Sequence, residues 1–269
     1  MSYIEIGYGQ LALGALLLVL SLGLGAALRL GLTRRLTVAA VRMIVQLLLV
    51  GVVLDWVFST RNPAVILGIA LLMAGLAGVA AVNRTARRFP GVYWNSLVTI
   101  LAASFLVTGF ALVGVLRVRP WFDPQYLIPL LGMLLGNALT GISLGLDRFM
   151  EGCAGGRGRV ESLLALGATR WEAARHDVRE AMRVALIPVV NSMMIMGVVS
   201  LPGMMTGQIL AGADPGDAVR YQILIMFMIA SCVGLASLGV VLLAYRALFD
   251  ARHRLRLDRL DRPGGGGEG

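Results

Sequence analysis

Seven stretches of the chain are apolar over the length of a bilayer-spanning helix: 8–28, 38–57, 63–82, 96–116, 125–146, 184–212 and 221–246. About 20 mostly apolar residues cross the roughly 30 Å of hydrocarbon at 1.5 Å per residue. The pattern therefore predicts an all-α, polytopic membrane helix bundle of about seven transmembrane helices. The second stretch carries Arg42 and Gln46 near its start. The sixth is interrupted by Pro202-Gly203, which predicts a broken helix or a helix followed by a re-entrant turn. The N-terminus lacks a positive start, carries Glu5 and leads into a long apolar run, so it reads as the first spanning helix and not as a cleavable signal.

The polar gaps give an orientation. With the C-terminus inside, the inner gaps, the inner end of the second stretch and the tail hold 20 of the 24 arginines; the outer gaps hold Arg61, Arg117, Arg119 and Arg220. The positive-inside bias supports N-out, C-in and an odd number of spans. In domain terms, residues 1–250 read as a single transmembrane unit with one long cytoplasmic loop, 147–183. Residues 251–269 read as a basic, partly disordered cytoplasmic tail ending in Gly264–Gly267. The stretch 252–262 reads as a continuation of the last helix toward anionic headgroups.

Composition narrows the function. The chain is 58% hydrophobic and 14% charged, with mean hydropathy +0.80. That exceeds what a soluble domain can bury, so lipid is its solvent. The net charge of +9 sits in the gaps between apolar runs, which argues for topology and against nucleic-acid binding. Every basic side chain is Arg or His. Without Lys there is no phosphate-binding loop ending in Gly-Lys-Ser/Thr, so any ATPase must be another chain. Cys153 and Cys232 form no metal-ligand spacing, and His176 and His253 lie far apart with no nucleophile beside them. No catalytic set emerges, and a membrane enzyme is the weaker class. No cofactor is expected on this chain.

Residues 159–188 predict two short helices. Gly167 is a stop for the first. Thr169-Arg170-Trp171-Glu172 has capping-box spacing at the start of the second. Two readings stand: an amphipathic pair on the membrane surface, or a docking helix that fits a groove on a soluble partner and carries motion into the bundle.

A second constellation lies within the spans. Gly203-Met204-x-x-Gly207-Gln208 follows Pro202 and is echoed by Gly132-Met133-x-x-Gly136-Asn137 in the fifth stretch. The glycines read as helix-packing surfaces. The sharper reading is a broken helix lining a substrate pathway, with Met133, Gly136, Asn137, Pro202, Gly203, Met204, Met205 and Gln208 along it. Methionine is dense from Met193 to Met228; thioethers suit soft ions, though Met is more often adaptable packing. Hard ferric iron prefers oxygen, and Asn137, Asn191, Ser192 and Gln208 are among the few intramembrane candidates. Asp214-Pro215 reads as a helix cap.

Glu161-Ser162-Leu163-Leu164-Ala165-Leu166-Gly167-Ala168-Thr169, with Ile187-Pro188 after it, resembles the Glu-Ala-Ala…Gly loop of ABC-transporter permeases. Ser162-Leu163 stands in place of Ala-Ala, and the stretch from glycine to proline is longer. The resemblance implies ATPase coupling through Glu161, Leu163, Leu166, Gly167, Ala168, Thr169 and Arg170. More widely, residues 128–249 resemble the FetB-type permeases. The strongest match is Ser200-Leu201-Pro202-Gly203-Met204-Met205 with Gly207, Ala211-Gly212, Asp214-Pro215 and Tyr221-Gln222-Ile223. Arg42-x3-Gln46-Leu47-x3-Gly51 adds a local agreement. The resemblance implies the permease subunit of an ABC transporter in the cytoplasmic (inner) membrane, exporting a metal ion such as iron. It implies a homodimer of permeases with a separate ATP-binding subunit that holds ATP-Mg. The alternative is an ion-coupled carrier or channel that needs no ATPase.

Overall fold

A computed structural model describes residues 7–29, 31, 33–59, 62–250 and 252–260. Among the described residues the chain is helical and contains no β-strand. The helices are α1 (Tyr8–Ala27), α2 (Thr33–Ser59), α3 (Pro63–Asn83), α4 (Val92–Gly109), α5 (Pro124–Gly155), α6 (Arg157–Ala165), α7 (Arg170–Ile195), α8 (Gly203–Leu210) and α9 (Pro215–Leu248). A π-helical segment, Phe110–Val115, continues α4, and a 3-10 turn, Leu257–Arg259, lies in the tail. Six of the described helices, α1–α5 and α9, are long and apolar enough to cross a membrane, α4 together with its π-helical extension.

The core is built by α3, α4, α5, α7 and α9. Lipid gives apolar helices no hydrophobic reason to associate, so close packing of small residues carries the contact. On α3 the buried stripe is Ile66, Ala70, Ala74, Ala77 and Ala81, spaced by three or four residues. At Gly78 an added Cβ would lie 3.2 Å from the Leu97 Cα, so the α3 and α4 backbones touch there. At the centre, Gly141 and Gly145 let α5 reach both α7 and α9. A Cβ on Gly141 would lie 2.6 Å from Val233 and 2.8 Å from Ser237, and one on Gly145 would lie 3.2 Å from the Ala185 Cβ. The sequence reading placed helix packing at Gly132–Gly136 and Gly203–Gly207. Gly132 does face Met73 of α3, but a Cβ added at Gly136, Gly203 or Gly207 would meet nothing within 4 Å in the single chain. Gly141-Ile142-Ser143-Leu144-Gly145 carries the same small-xxx-small signal and brings α5 against α7 and α9.

These contacts fix the helix directions. Gly152 faces Asp177 and Gly145 faces Ala185, so α5 and α7 run antiparallel; Gly145 also faces Val241, so α5 and α9 run together. The most basic segments consequently share one end. The Ala86 N–H donates to Asp147 Oδ1 at 2.8 Å, and the Arg170 N–H donates to His253 Nδ1 at 2.9 Å. This is the basic end. The α1–α2 pair stands off the core: Val57 is buried, Leu54 and Phe58 pack partly, and most of the rest is exposed.

Two segments differ from the sequence reading. The stretch 184–212 is broken, as Pro202-Gly203 predicts, but the break begins earlier. It is the second half of α7, a turn, and α8. The break falls at 196–202, where Gly197 adopts φ +84° and the Ser200 and Val199 N–H groups both return to the Ile195 carbonyl. Pro202 stands as the N-cap of α8, where its missing N–H is no loss. The last helix also ends at Leu248 and does not continue through the described part of the tail, 252–260. Asp250 captures the N–H groups of Arg252 and Arg254, both at 2.9 Å, and the chain folds back so that the Arg256 N–H donates to the Leu248 carbonyl. Residues 261–269, where disorder was expected, lie outside the described residues.

Candidate functional site

The expected coupling segment is a tight corner at the basic end. Helix α6 stops at Ala165, and Gly167 takes φ +90°. The Ala168 N–H donates to the Leu163 carbonyl at 3.0 Å and the Gly167 N–H to the Leu164 carbonyl at 3.1 Å, the paired bonds of a Schellman motif. Thr169 then caps α7. Its N–H donates to Glu172 Oε2 at 2.8 Å, and its hydroxyl accepts the Glu172 N–H. The Thr169 N–H first, and then the Thr169 hydroxyl, which donates to Oε2 at 2.8 Å, hold the Glu172 carboxyl below its ordinary pKa. The corner sets Leu166 outward, 85% exposed, while Leu163 and Leu164 are half-buried against the core. Glu161 is exposed and pairs with Arg157 at 2.7 Å. Ala168 and Arg170 are half-buried.

Two devices fix this corner to the bundle, and neither was read from the sequence. The first is an ion pair. Arg159 of α6 donates through one Nη to both oxygens of Asp177 on α7, at 2.7 Å each, and Asp177 is 5% exposed. Gly152 of α5 makes room: a Cβ there would lie 2.8 Å from Asp177 Oδ1. The pair thus ties α6, α7 and α5 at one point. The second is the tail. His253 caps the first N–H of α7, and the Arg170 guanidinium donates to the Asp250 carbonyl at 3.3 Å while lying over the Tyr245 ring. Trp171, Tyr245 and Phe249 stack in series. Leu257 and Leu260 pack against the core, where they share a hollow with Arg87 and Arg157. Asp250 is held below its ordinary pKa, first by the Arg254 N–H.

The intramembrane candidates divide. Asn137 lies fourteen residues into α5, about 20 Å from its start. Its amide N–H donates to the Met133 carbonyl at 2.9 Å, and both Gly136 and Asn137 are exposed in the single chain. The antiparallel register carries Asn137 to the level of Asn191 and Ser192 on α7, which are exposed and half-exposed. These residues stand at one level on two neighbouring helices and together are termed the polar strip. Pro202, Gly203, Met204, Met205 and Gln208 sit apart on α8, which packs mainly on α9 at the end away from the basic segments. The two echoed motifs are therefore not drawn into one packed pair. Met196 is nearby, its sulfur accepting from Gln222 at 3.9 Å. Asp214 caps α9 as expected, accepting from Gly216 and Asp217. Among the described residues no group of three His, Cys, Asp or Glu side chains gathers to hold a metal ion.

The molecule is thus a polytopic helical membrane protein with a braced, solvent-facing corner at its basic end. The chain belongs to UPF0014, described as an uncharacterised protein family, whose profile matches residues 8–249. It is 40% identical over 238 residues to the UPF0014 membrane protein slr1647 of Synechocystis, covering 86% of this chain and 92% of that one. It is 32% identical over 252 residues to the probable iron export permease protein FetB of Escherichia coli, covering 93% and 95%. It is 37% identical over 227 residues to the UPF0014 membrane protein STAR2 of rice, covering 84% and 78%. No solved structure matches the chain. The resemblance to FetB-type permeases read from residues 128–249 therefore holds along nearly the whole length.

Proposed function

We propose that the chain is the membrane-spanning permease subunit of an ABC transporter of the inner membrane, working as a homodimer with separate ATP-binding subunits that hold ATP-Mg. The observation that carries this is the α6–α7 corner. An apolar side chain, Leu166, is presented almost fully to solvent by a Schellman turn, and the Arg159–Asp177 pair joins the same corner rigidly to α5 and α7. A surface helix lying on lipid needs no such brace. A lever does, because displacement of the corner must reach the spanning helices. With the basic end inside, N-out and C-in, an ATPase would seat on Leu166, Gly167 and Thr169. The exported substrate would be a metal ion such as iron, in keeping with the name of the FetB relative, passing beside the Asn137–Asn191–Ser192 strip.

The chain can be affinity-purified from its own cell membranes and the co-purifying proteins identified. An ATP-binding subunit in equal amount is expected, and Leu166→Glu should remove it while leaving the chain folded. Transport by the purified chain alone, without any ATPase, would overturn the assignment and favour a carrier or channel. Cellular iron in a deletion strain tests the substrate: accumulation is expected, and unchanged metal content excludes iron.

A further inference from the structure

Helix α2 carries a feature that the coupling corner does not use. Arg35, Arg42 and Gln46 are spaced by seven and four residues, so at 100° per residue they fall within about 40° of one another on the helix. All three are exposed, and neither their side chains nor that of Arg34 make a hydrogen bond or ion pair with any described residue. An open groove of about 840 Å³ runs beside the stripe; it takes in Arg34, and Met43 and Leu47 form part of its apolar wall. Helix α2 has 27 residues, about 40 Å, which exceeds the hydrocarbon thickness by roughly 10 Å. With Ser59 at the far boundary, the hydrocarbon begins near residue 40. Arg35 then lies among headgroups, Arg42 at the boundary, and Gln46 one turn deeper.

We propose that this stripe is a binding site for an anionic phospholipid of the leaflet at the basic end. The phosphate would sit between the Arg35 and Arg42 guanidinium groups, with Gln46 donating to a glycerol or ester oxygen and an acyl chain lying along Met43 and Leu47. Guanidinium groups match phosphate in both charge and donor geometry. The apolar wall explains why the occupant is a lipid and not a soluble anion, which would leave that wall wet. A second copy pairing α2 with α2 fits less well, because the only acidic residue of that helix, Asp55, lies toward its other end. The site is independent of the transport assignment and stands whether or not an ATPase binds.

Native mass spectrometry of the full chain in mild detergent, titrated with phosphatidylglycerol or phosphatidylcholine, tests it. Wild type should retain phosphatidylglycerol in preference to phosphatidylcholine. Arg35→Gln/Arg42→Gln should lower its affinity by more than about tenfold, since one lost charge-assisted contact already accounts for that much and two are removed. Arg42→Lys should fall between them, and Arg183→Gln, which removes an exposed charge on another helix, should leave binding unchanged. If the double variant loses helical circular dichroism, Gln46→Leu replaces it, with about a threefold loss expected. Full retention in a folded variant overturns the proposal. So does equal loss in Arg183→Gln, displacement by millimolar inorganic pyrophosphate, or retention that rises and falls with dimer formation.

Discussion

Gly167 separates two reasons for a glycine. Nothing lies within 4 Å of where its Cβ would be, so bulk is tolerated; φ +90° is not, for any L side chain. Gly167→Ala should therefore cost about 1–2 kcal/mol at the corner and turn Leu166 from its outward position. The expected readout is a small drop in thermal midpoint with a larger loss of ATPase stimulation; an unchanged response would show that the turn does not position Leu166. Asp177 is the opposite case, a residue whose neighbours decide everything. Removing Arg159 leaves a buried carboxylate unpaired, so Arg159→Ala should destabilise by about 3 kcal/mol, while Asp177→Ala leaves only the part-exposed Arg159 guanidinium and should cost less. The double variant should lose clearly less than the sum. Thermal unfolding in detergent measures all three, and additive losses would mean the two side chains do not act together. Asp177 was legible in part: it shares a helix face with Ala174, Val178 and Ala181, where a carboxylate is out of place. Its partner eighteen residues away was not, because the path of the intervening turn decides which arginine arrives.

At the scale of elements, local chemistry was readable where it is self-contained. The start of α7 follows from Thr169 and Glu172, and the end of α6 from Gly167, because caps involve only near neighbours. The capping box carries a pH dependence. The folded state holds Glu172 below its ordinary carboxylate pKa, so its contribution is fully present above that ordinary value. It is lost as pH falls through the lowered one. Hydrogen exchange at residues 169–173, compared at matched intrinsic rates at neutral pH and well below the ordinary glutamate range, should be faster at the lower pH. Glu172→Gln should exchange equally at both pH values, and a wild type insensitive to pH would remove the capping role. Breaks were less readable. Pro202 drew attention to itself, yet the chain turns earlier, at Gly197, because a proline can open a helix as easily as interrupt one. The tail was missed for a related reason. Its arginines suit a basic helix at a membrane, but Asp250 takes the backbone N–H groups that α9 would need to continue.

At the scale of the whole molecule, hydropathy and arginine placement anticipated the helical bundle and the gathering of basic segments at one end, since both reflect the bilayer and not any particular contact. Which glycines bring helices together depended on three-dimensional register, and Gly141 and Gly145 emerged only from the packing. The same register exposes a problem that a single chain leaves open. Asn137 stands about 20 Å along a spanning helix with its side chain exposed. Its N–H bonds the Met133 carbonyl, but its Oδ1 accepts from no described residue. A polar atom in hydrocarbon needs a partner, and Asn191 and Ser192 at the same level extend the unmet demand. A second copy seated on this face would cover the strip and leave it lining a shared passage. Asn137→Cys, in a chain whose buried Cys153 and Cys232 are replaced by Ser, should then cross-link between copies under mild oxidation. Leu72→Cys, exposed on α3, should not. Addition of a water-soluble thiol reagent should compete with the Asn137→Cys cross-link if the strip borders an aqueous route, and leave it untouched if the face is merely an interface. Equal cross-linking at both positions would place the contact between copies elsewhere and return the strip to lipid.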